Sequence, residues 1–130
     1  MYQIMVGAAT LNQTPLDWAG NADRIHDAID AARQQGVSIL CLPELCISGY
    51  GCEDAFFSPG LHEMARDVLL ELLPETVGMV VAIGLPLFHR NGLFNAAGLI
   101  ADGRILGFVA KRFLAGEGIH YEPRWFKAWP

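Results

Sequence analysis

Residues 37–45, "VSILCLPEL", join a short apolar run to a proline and a glutamate. An apolar run of this length without polar alternation is typical of a strand that is covered on both faces. A helix is predicted just before it, over 17–35, because the apolar positions there recur at helical spacing. Asp17 or Asn21 is a suitable N-cap, and Gly36 is suited to ending the helix. The stretch therefore predicts one strand of a layered α/β domain, with Glu44 at its carboxyl end.

The same patterns extend along the rest of the chain. They predict strands at 2–11, 37–42, 78–88, 93–100 and 104–111, and helices over 17–35 and 58–73. The pairs Asn91-Gly92 and Asp102-Gly103 predict tight turns between the last three strands. The order β-α-β-α-β-β-β predicts an α/β fold in which a sheet faces helices, while 112–130 shows no clear closing element.

Composition excludes several classes of partner. The chain has 130 residues, 52% of them hydrophobic and 18% charged, with a net charge of −5. This acidity argues against nucleic acid and anionic membranes as main ligands. The longest apolar stretch, 77–88, is too short to span a membrane and is interrupted by Gly and Pro. The first ten residues lack Lys and Arg, and three cysteines are an odd number, so we expect free thiols in the cytoplasm.

The cysteines do not predict a metal site. Cys41, Cys46 and Cys52 follow a C-x4-C-x5-C spacing, which is not that of zinc knuckles or redox motifs. The loop over 49–54 lacks the glycine pattern of phosphate-binding loops, and its two carboxylates would repel phosphate. We therefore expect neither a metal nor a bound nucleotide phosphate in this region.

Two charged residues remain as candidates for chemistry. Glu44 and Lys111 each follow a long apolar run, at the carboxyl end of a predicted strand, where open α/β sheets place their sites. If they share a pocket, the ammonium would keep the carboxylate ionised and able to accept a proton. The alternatives are that Glu44 caps a backbone or pairs with an arginine, and that Lys111 is an ordinary surface lysine.

Two longer motifs contain these residues, "LPELCISGYGCEDAF" over 42–56 and "KRFLAGEGIHYEPRWFKAW" over 111–129. Together they resemble the nitrilase, or carbon–nitrogen hydrolase, superfamily, and within it the N-terminal glutaminase domain of glutamine-dependent NAD synthetases. The resemblance implies part of an α-β-β-α sandwich with a Glu–Lys–Cys triad. It also implies glutamine as substrate and an ATP-dependent synthetase domain as the user of the ammonia. ATP and Mg would belong to that domain, and the amidase step would need no cofactor.

The resemblance assigns roles to individual residues. It makes Glu44 the general base and Lys111 the group that stabilises the oxyanion. It places Tyr50 in the glutamine pocket, although a packing role against the sheet is an equal alternative. A second glutamate that supports the site would be Glu122 or Glu117, with Glu122 favoured.

The nucleophile of the resembling family lies tens of residues beyond the lysine, and none of the three cysteines matches it. We expect 1–130 to be the N-terminal portion of a carbon–nitrogen hydrolase domain that ends before this Cys. Such a chain would be inactive alone and would associate with itself or with a complementary fragment. Cys46 is too close to Glu44 in sequence for a productive attack. Another nitrilase-type amidase, acting on small linear amides or carbamoyl compounds, and a non-catalytic partner subunit are the alternatives.

Overall fold

The computed structural model describes residues 3–130 and contains five strands and three helices. They are β1 (Met5–Ala8), α1 (Trp18–Gln34), β2 (Val37–Cys41), α2 (Pro59–Leu72), β3 (Val80–His89), β4 (Gly92–Ala101), β5 (Arg104–Ala110) and α3 (Glu122–Trp125). Short 3-10 turns cover Glu53–Phe57 and Leu73–Thr76. The predicted order and α/β class are confirmed, although Tyr2 of the predicted first strand lies outside the described residues. In 112–130, where the sequence shows no clear closing element, the structure has one short helix, α3.

The strands form one mixed sheet in the order β1-β2-β3-β4-β5. β1, β2 and β3 are parallel, and each connection between them passes through a helix. β3, β4 and β5 are antiparallel and joined by tight turns, as the short connections require. Arg90 and Asn91 have positive φ in the first of these turns and Gly92 begins β4, so the turn lies one residue earlier than predicted.

The helix ends follow local chemistry. The side chain of Asp17 accepts a hydrogen bond from the Gly20 N–H at 3.1 Å, which caps α1 as predicted. Gly36 follows α1 with φ of 73°, a conformation that glycine adopts without strain. Within residues 3–130, no helix combines the length and the apolarity needed to cross a membrane.

The core lies between the helices and one face of the sheet. Leu40, Val81 and Ile100 occupy successive positions across β2, β3 and β4 and are almost completely buried. They pack against buried residues of both helices, among them Ile25 of α1 and Leu69 of α2. Each such side chain contributes about 1.5–3 kcal/mol through burial of its apolar surface.

Much of the other face of the sheet is exposed, and we call it the open face. Its exposed apolar residues are Val6 of β1, Ile39 of β2, Leu99 of β4 and Val109 of β5, with exposed fractions between 38% and 70%. The prediction that the strand over 37–42 is covered on both faces is therefore wrong for residues 3–130. The reason is that α1 and α2 both pack on the same face of the sheet.

Candidate active site

The turn that follows β2 carries Glu44 and is held against β3. The N–H of Leu42 donates to the Ala82 carbonyl at 2.9 Å, and the N–H of Ile47 donates to the Gly84 carbonyl at 3.2 Å. Gly84 is required here because a Cβ on it would overlap backbone atoms of Pro43 and Leu45. Close contact with the glycine therefore places Glu44 over β3.

Lys111 follows the last residue of β5, and its main-chain N–H and carbonyl are both hydrogen-bonded. Its N–H donates to the Asn95 carbonyl at 2.8 Å, and its carbonyl accepts from the Trp129 N–H at 3.1 Å. Asn95 belongs to β4, so these bonds connect the end of β5 to the neighbouring strand and to the C-terminal segment. The lysine side chain therefore starts from a fixed backbone position.

The side chains of Glu44 and Lys111 meet above the sheet. Lys111 Nζ lies 2.6 Å from Glu44 Oε1, and Asn95 Nδ2 donates to the same oxygen at 2.6 Å. Glu44 is 42% exposed and Lys111 is 31% exposed, so both can be reached from solvent. They border a cleft of about 420 Å³ whose floor includes the small side chains of Ala82 and Ala97.

Glu122 completes the cluster from the N-terminal end of α3. Its carboxylate is almost fully buried and accepts three hydrogen bonds, from Lys111 Nζ at 3.0 Å, Tyr50 Oη at 2.8 Å and the Ala115 N–H at 2.7 Å. Burial favours the neutral carboxyl, but these donors outweigh it and hold the pKa of Glu122 below its ordinary value of 4.5. Glu122 is therefore an ionised buried acceptor.

The ionisation of Lys111 and Tyr50 follows from these contacts. Burial favours neutral lysine, but the hydrogen bonds and charges of Glu44 and Glu122 outweigh it and raise the pKa of Lys111 above 10.5. Burial and the hydrogen bond to Glu122 raise the pKa of Tyr50 above its ordinary value of 10.0. Lys111 therefore stays cationic and Tyr50 stays a neutral donor at physiological pH.

A second set of contacts holds the C-terminal segment against the loop after β2. Arg124 donates to both oxygens of Asp54, at 2.8 and 2.7 Å, and Trp125 Nε1 donates to Asp54 Oδ1 at 3.0 Å. Trp129 packs edge-on against Phe94, with ring centroids 5.4 Å apart. Asp54, Trp125 and Trp129 therefore hold this segment in place.

The structure argues against the two remaining candidates, Glu117 and Cys46. Glu117, the alternative to Glu122, is exposed, and among the described residues its side chain makes no hydrogen bond or ion pair with the cluster. Cys46 is buried, with its thiol 3.6 Å from the Gly84 carbonyl, and burial raises the pKa of its thiol to about 12. A buried protonated thiol is a poor nucleophile, which agrees with setting Cys46 aside.

Asn95 is the site residue that the sequence reasoning missed. It is 4% exposed and is the one polar residue in the strand "GLFNAAGLIA". A polar side chain inside an apolar strand is unfavourable unless it is hydrogen-bonded, and this pattern was the available signal.

Comparison with known proteins identifies the family. The family model described as "Carbon-nitrogen hydrolase" matches residues 5–129. The glutamine-dependent NAD(+) synthetase of Drosophila melanogaster is 37% identical over 129 residues, which are 98% of this chain and 16% of that protein. The yeast (Saccharomyces cerevisiae) protein of the same name is 36% identical over 128 residues, 97% of this chain and 18% of that protein. The chain thus spans about a sixth of the length of these relatives.

Solved structures give the same result. A glutamine-dependent NAD(+) synthetase from Cytophaga hutchinsonii superposes with a TM-score of 0.95 at 47% identity, covering 98% of this chain and 22% of that one. An amidase from Nesterenkonia sp. superposes with a TM-score of 0.82 at 23% identity, covering 98% of this chain and 48% of that one, which shows a shared fold. The resemblance noted in the sequence is confirmed, and the chain belongs to the carbon–nitrogen hydrolase family.

Proposed function

We propose that the natural gene product, meaning the complete protein that the gene encodes, hydrolyses the side-chain amide of glutamine and supplies the ammonia for NAD synthesis. The observation that carries the proposal is the contact of Lys111 Nζ with Glu44 Oε1 at 2.6 Å and with Glu122 Oε1 at 3.0 Å. The glutamine-dependent NAD(+) synthetases to which the chain is 36–37% identical support glutamine as the substrate.

In the proposed reaction, Glu44 takes the proton of a cysteine thiol that lies outside residues 1–130. The thiolate attacks the amide carbon, and the ammonium of Lys111 stabilises the negative charge that develops on the amide oxygen. The C–N bond then breaks, and Glu44 returns the proton to the departing ammonia, leaving a thioester. Water attacks the thioester with Glu44 as base, and the C–S bond breaks to release glutamate and the thiol.

Glu122 and Tyr50 serve this chemistry indirectly in the proposal. The buried carboxylate of Glu122 holds Lys111 in place and keeps it charged, so the ammonium does not lose its proton during the reaction. Tyr50 donates to Glu122 and lines the side of the glutamine pocket. The step itself uses a carboxylate, an ammonium and a thiol, with no cofactor. ATP and Mg would serve a synthetase domain that uses the ammonia.

We also propose a location and an assembly for the enzyme. We expect the enzyme to be cytoplasmic and to form a homo-oligomer in which the amidase domain delivers ammonia to the synthetase domain. A nitrilase-type amidase acting on small linear amides is the second candidate, and the Nesterenkonia amidase fold is compatible with it.

Glutamate release from glutamine by the natural gene product tests the proposal. Glu44→Gln and Lys111→Ala should each lower kcat by at least about 10²-fold, the smaller contribution of a general base or an oxyanion donor. Glu71→Gln, at an exposed position of α2, is the control and should keep full activity. Full turnover in either site variant would show the assignment to be wrong. Turnover of simple aliphatic amides without turnover of glutamine would favour the second candidate.

A further inference from the structure

Asn95 is placed to hold one oxygen of Glu44. Its side chain lies on the same side of β4 as Ala97 and Leu99, above the open face. Asn95 Nδ2 and Lys111 Nζ each reach Glu44 Oε1 at 2.6 Å. Two donors from different strands therefore converge on one oxygen. Glu44 Oε2 has no hydrogen-bond partner within residues 3–130 and remains free to accept a proton.

The backbone of Asn95 holds the second charged residue of the site. Its carbonyl accepts the Lys111 N–H at 2.8 Å, in the bond that ends the pairing of β4 with β5. One residue thus binds Glu44 through its side chain and Lys111 through its main chain. The separation between the carboxylate and the ammonium is therefore set by β4.

We infer that Asn95 is a positioning residue for the general base, holding Glu44 through Oε1 so that Oε2 is the atom that accepts the proton. This inference rests on the amide hydrolysis proposed above, in which Glu44 is the base.

The chemistry of an amide suits this role better than that of a charged side chain. An asparagine donates a hydrogen bond without titrating and without adding a charge to the cluster. The charged and titratable groups around Glu44 are Lys111 at the end of β5, Glu122 of α3 and Tyr50 of the loop after β2. Cys41 of β2 lines the same cleft, and His120 contacts Tyr50. An aspartate at position 95 would add a third carboxylate next to Glu44 and disfavour its ionised form.

The pH profile of kcat/KM for glutamine hydrolysis by the natural gene product tests this inference. Asn95→Ala should lower kcat roughly 10- to 100-fold, part of what a general base contributes, with little change in KM. The acid limb of the kcat/KM profile of Asn95→Ala should move to higher pH, because this variant loses a hydrogen-bond donor to the Glu44 carboxylate. Asn95→Asp should move the limb further, by about one pH unit or more, because a repelling charge is added. Alanine already lines this face, so Asn95→Ala is compatible with the fold.

The matched controls are Asn12→Ala and Asn12→Asp, because Asn12 is exposed in the loop before α1. Both should keep the wild-type profile. If Asn95→Ala and Asn95→Asp lower kcat equally at every pH with an unmoved acid limb, Asn95 has only a structural role and the inference fails. Wild-type kinetics in the Asn95 variants would also overturn it.

Glu44→Gln separates the two proposals, since full turnover in that variant contradicts the proposed function itself. Loss of turnover in Glu44→Gln with an unmoved limb in the Asn95 variants contradicts the inference alone.

Discussion

Lys111 Nζ lies 2.6 Å from Glu44 Oε1, although the two residues are 67 positions apart in the sequence. β3 and β4 lie between the strands that precede them, so the contact crosses the sheet. The pair is therefore a consequence of strand order and register. Changes to the backbone around either residue should affect the site as strongly as changes to the side chains.

Gly84→Ala should disrupt the site from outside it. The added Cβ would overlap the backbone of Pro43 and Leu45, and moving this turn would displace Glu44. We expect the free energy of unfolding to fall by about 1–3 kcal/mol, as for overpacking, together with loss of glutamine hydrolysis. Gly107→Ala in β5 is the control, because its Cβ would meet no atom within 4 Å. Thermal unfolding and kinetics of the natural gene product measure both effects, and equal behaviour of the two variants would contradict the prediction.

Glu122→Gln should change how stability depends on pH. The pKa of Glu122 is lowered from 4.5, so its ionised form stabilises the fold above that pH, and this stability is lost as the pH falls through the lowered pKa. The variant should be less stable than the wild type at pH 7 by about 1–3 kcal/mol, the usual loss for a buried hydrogen-bonded group. The difference should shrink below pH 4.5. Glu117→Gln, exposed in the same segment, should match the wild type in thermal melts from pH 3 to 7. A constant difference across that range would count against this explanation.

Asp54→Asn should loosen the C-terminal segment. Asp54 binds Arg124 and Trp125, and these hydrogen bonds lower the pKa of Asp54 to about 2. The ion pair therefore persists at pH 3.8 and above and weakens as the pH falls toward 2. Tryptic cleavage after Arg112 at neutral pH should be faster in the variant. The exposed pair of Asp67 with Arg66 gives the control, Asp67→Asn, which should leave cleavage unchanged. Equal cleavage in Asp54→Asn and the wild type would show that other contacts hold the segment.

The three cysteines should differ in reactivity. In the 130-residue chain, Cys41 is exposed whereas Cys46 and Cys52 are buried, and burial raises the pKa of both buried thiols. Iodoacetamide should therefore label Cys41 first and the other two only after unfolding, as peptide mapping by mass spectrometry can show. Cys46→Ala in the natural gene product should keep glutamine hydrolysis. Loss of turnover in a folded Cys46→Ala variant would contradict a nucleophile outside these residues.

The 130-residue chain produced alone should self-associate and release no glutamate from glutamine. The open face exposes Val109 at 70% and Val6 at 65%, and exposed apolar side chains of this kind favour contact with another surface. Sedimentation at increasing concentration measures the association. Val109→Lys should weaken it, and Leu70→Lys, on the exposed side of α2, should change it less. A compact monomer at high concentration, or turnover that survives removal of Cys46, would refute this prediction.

Local sequence determined the order of elements and most of their ends. Asp17 caps α1, Gly36 follows it with positive φ, and Asp102-Gly103 forms the turn before β5. These features depend on side-chain and backbone preferences within a few residues, which the sequence displays directly. Glu44 and Lys111 were identifiable for a related reason, since each charged residue directly follows an apolar strand.

Tertiary structure decided the features that depend on distant contacts. It showed that both helices cover the same face of the sheet, that Asn95 reaches Glu44 across 51 positions, and that Glu122 rather than Glu117 contacts Lys111. Each depends on strand register or on the path of a loop, which bring together residues that share no local pattern. The sequence alone therefore determined which residues could do the chemistry, and the fold decided which of them meet, because only packing sets distances between remote side chains.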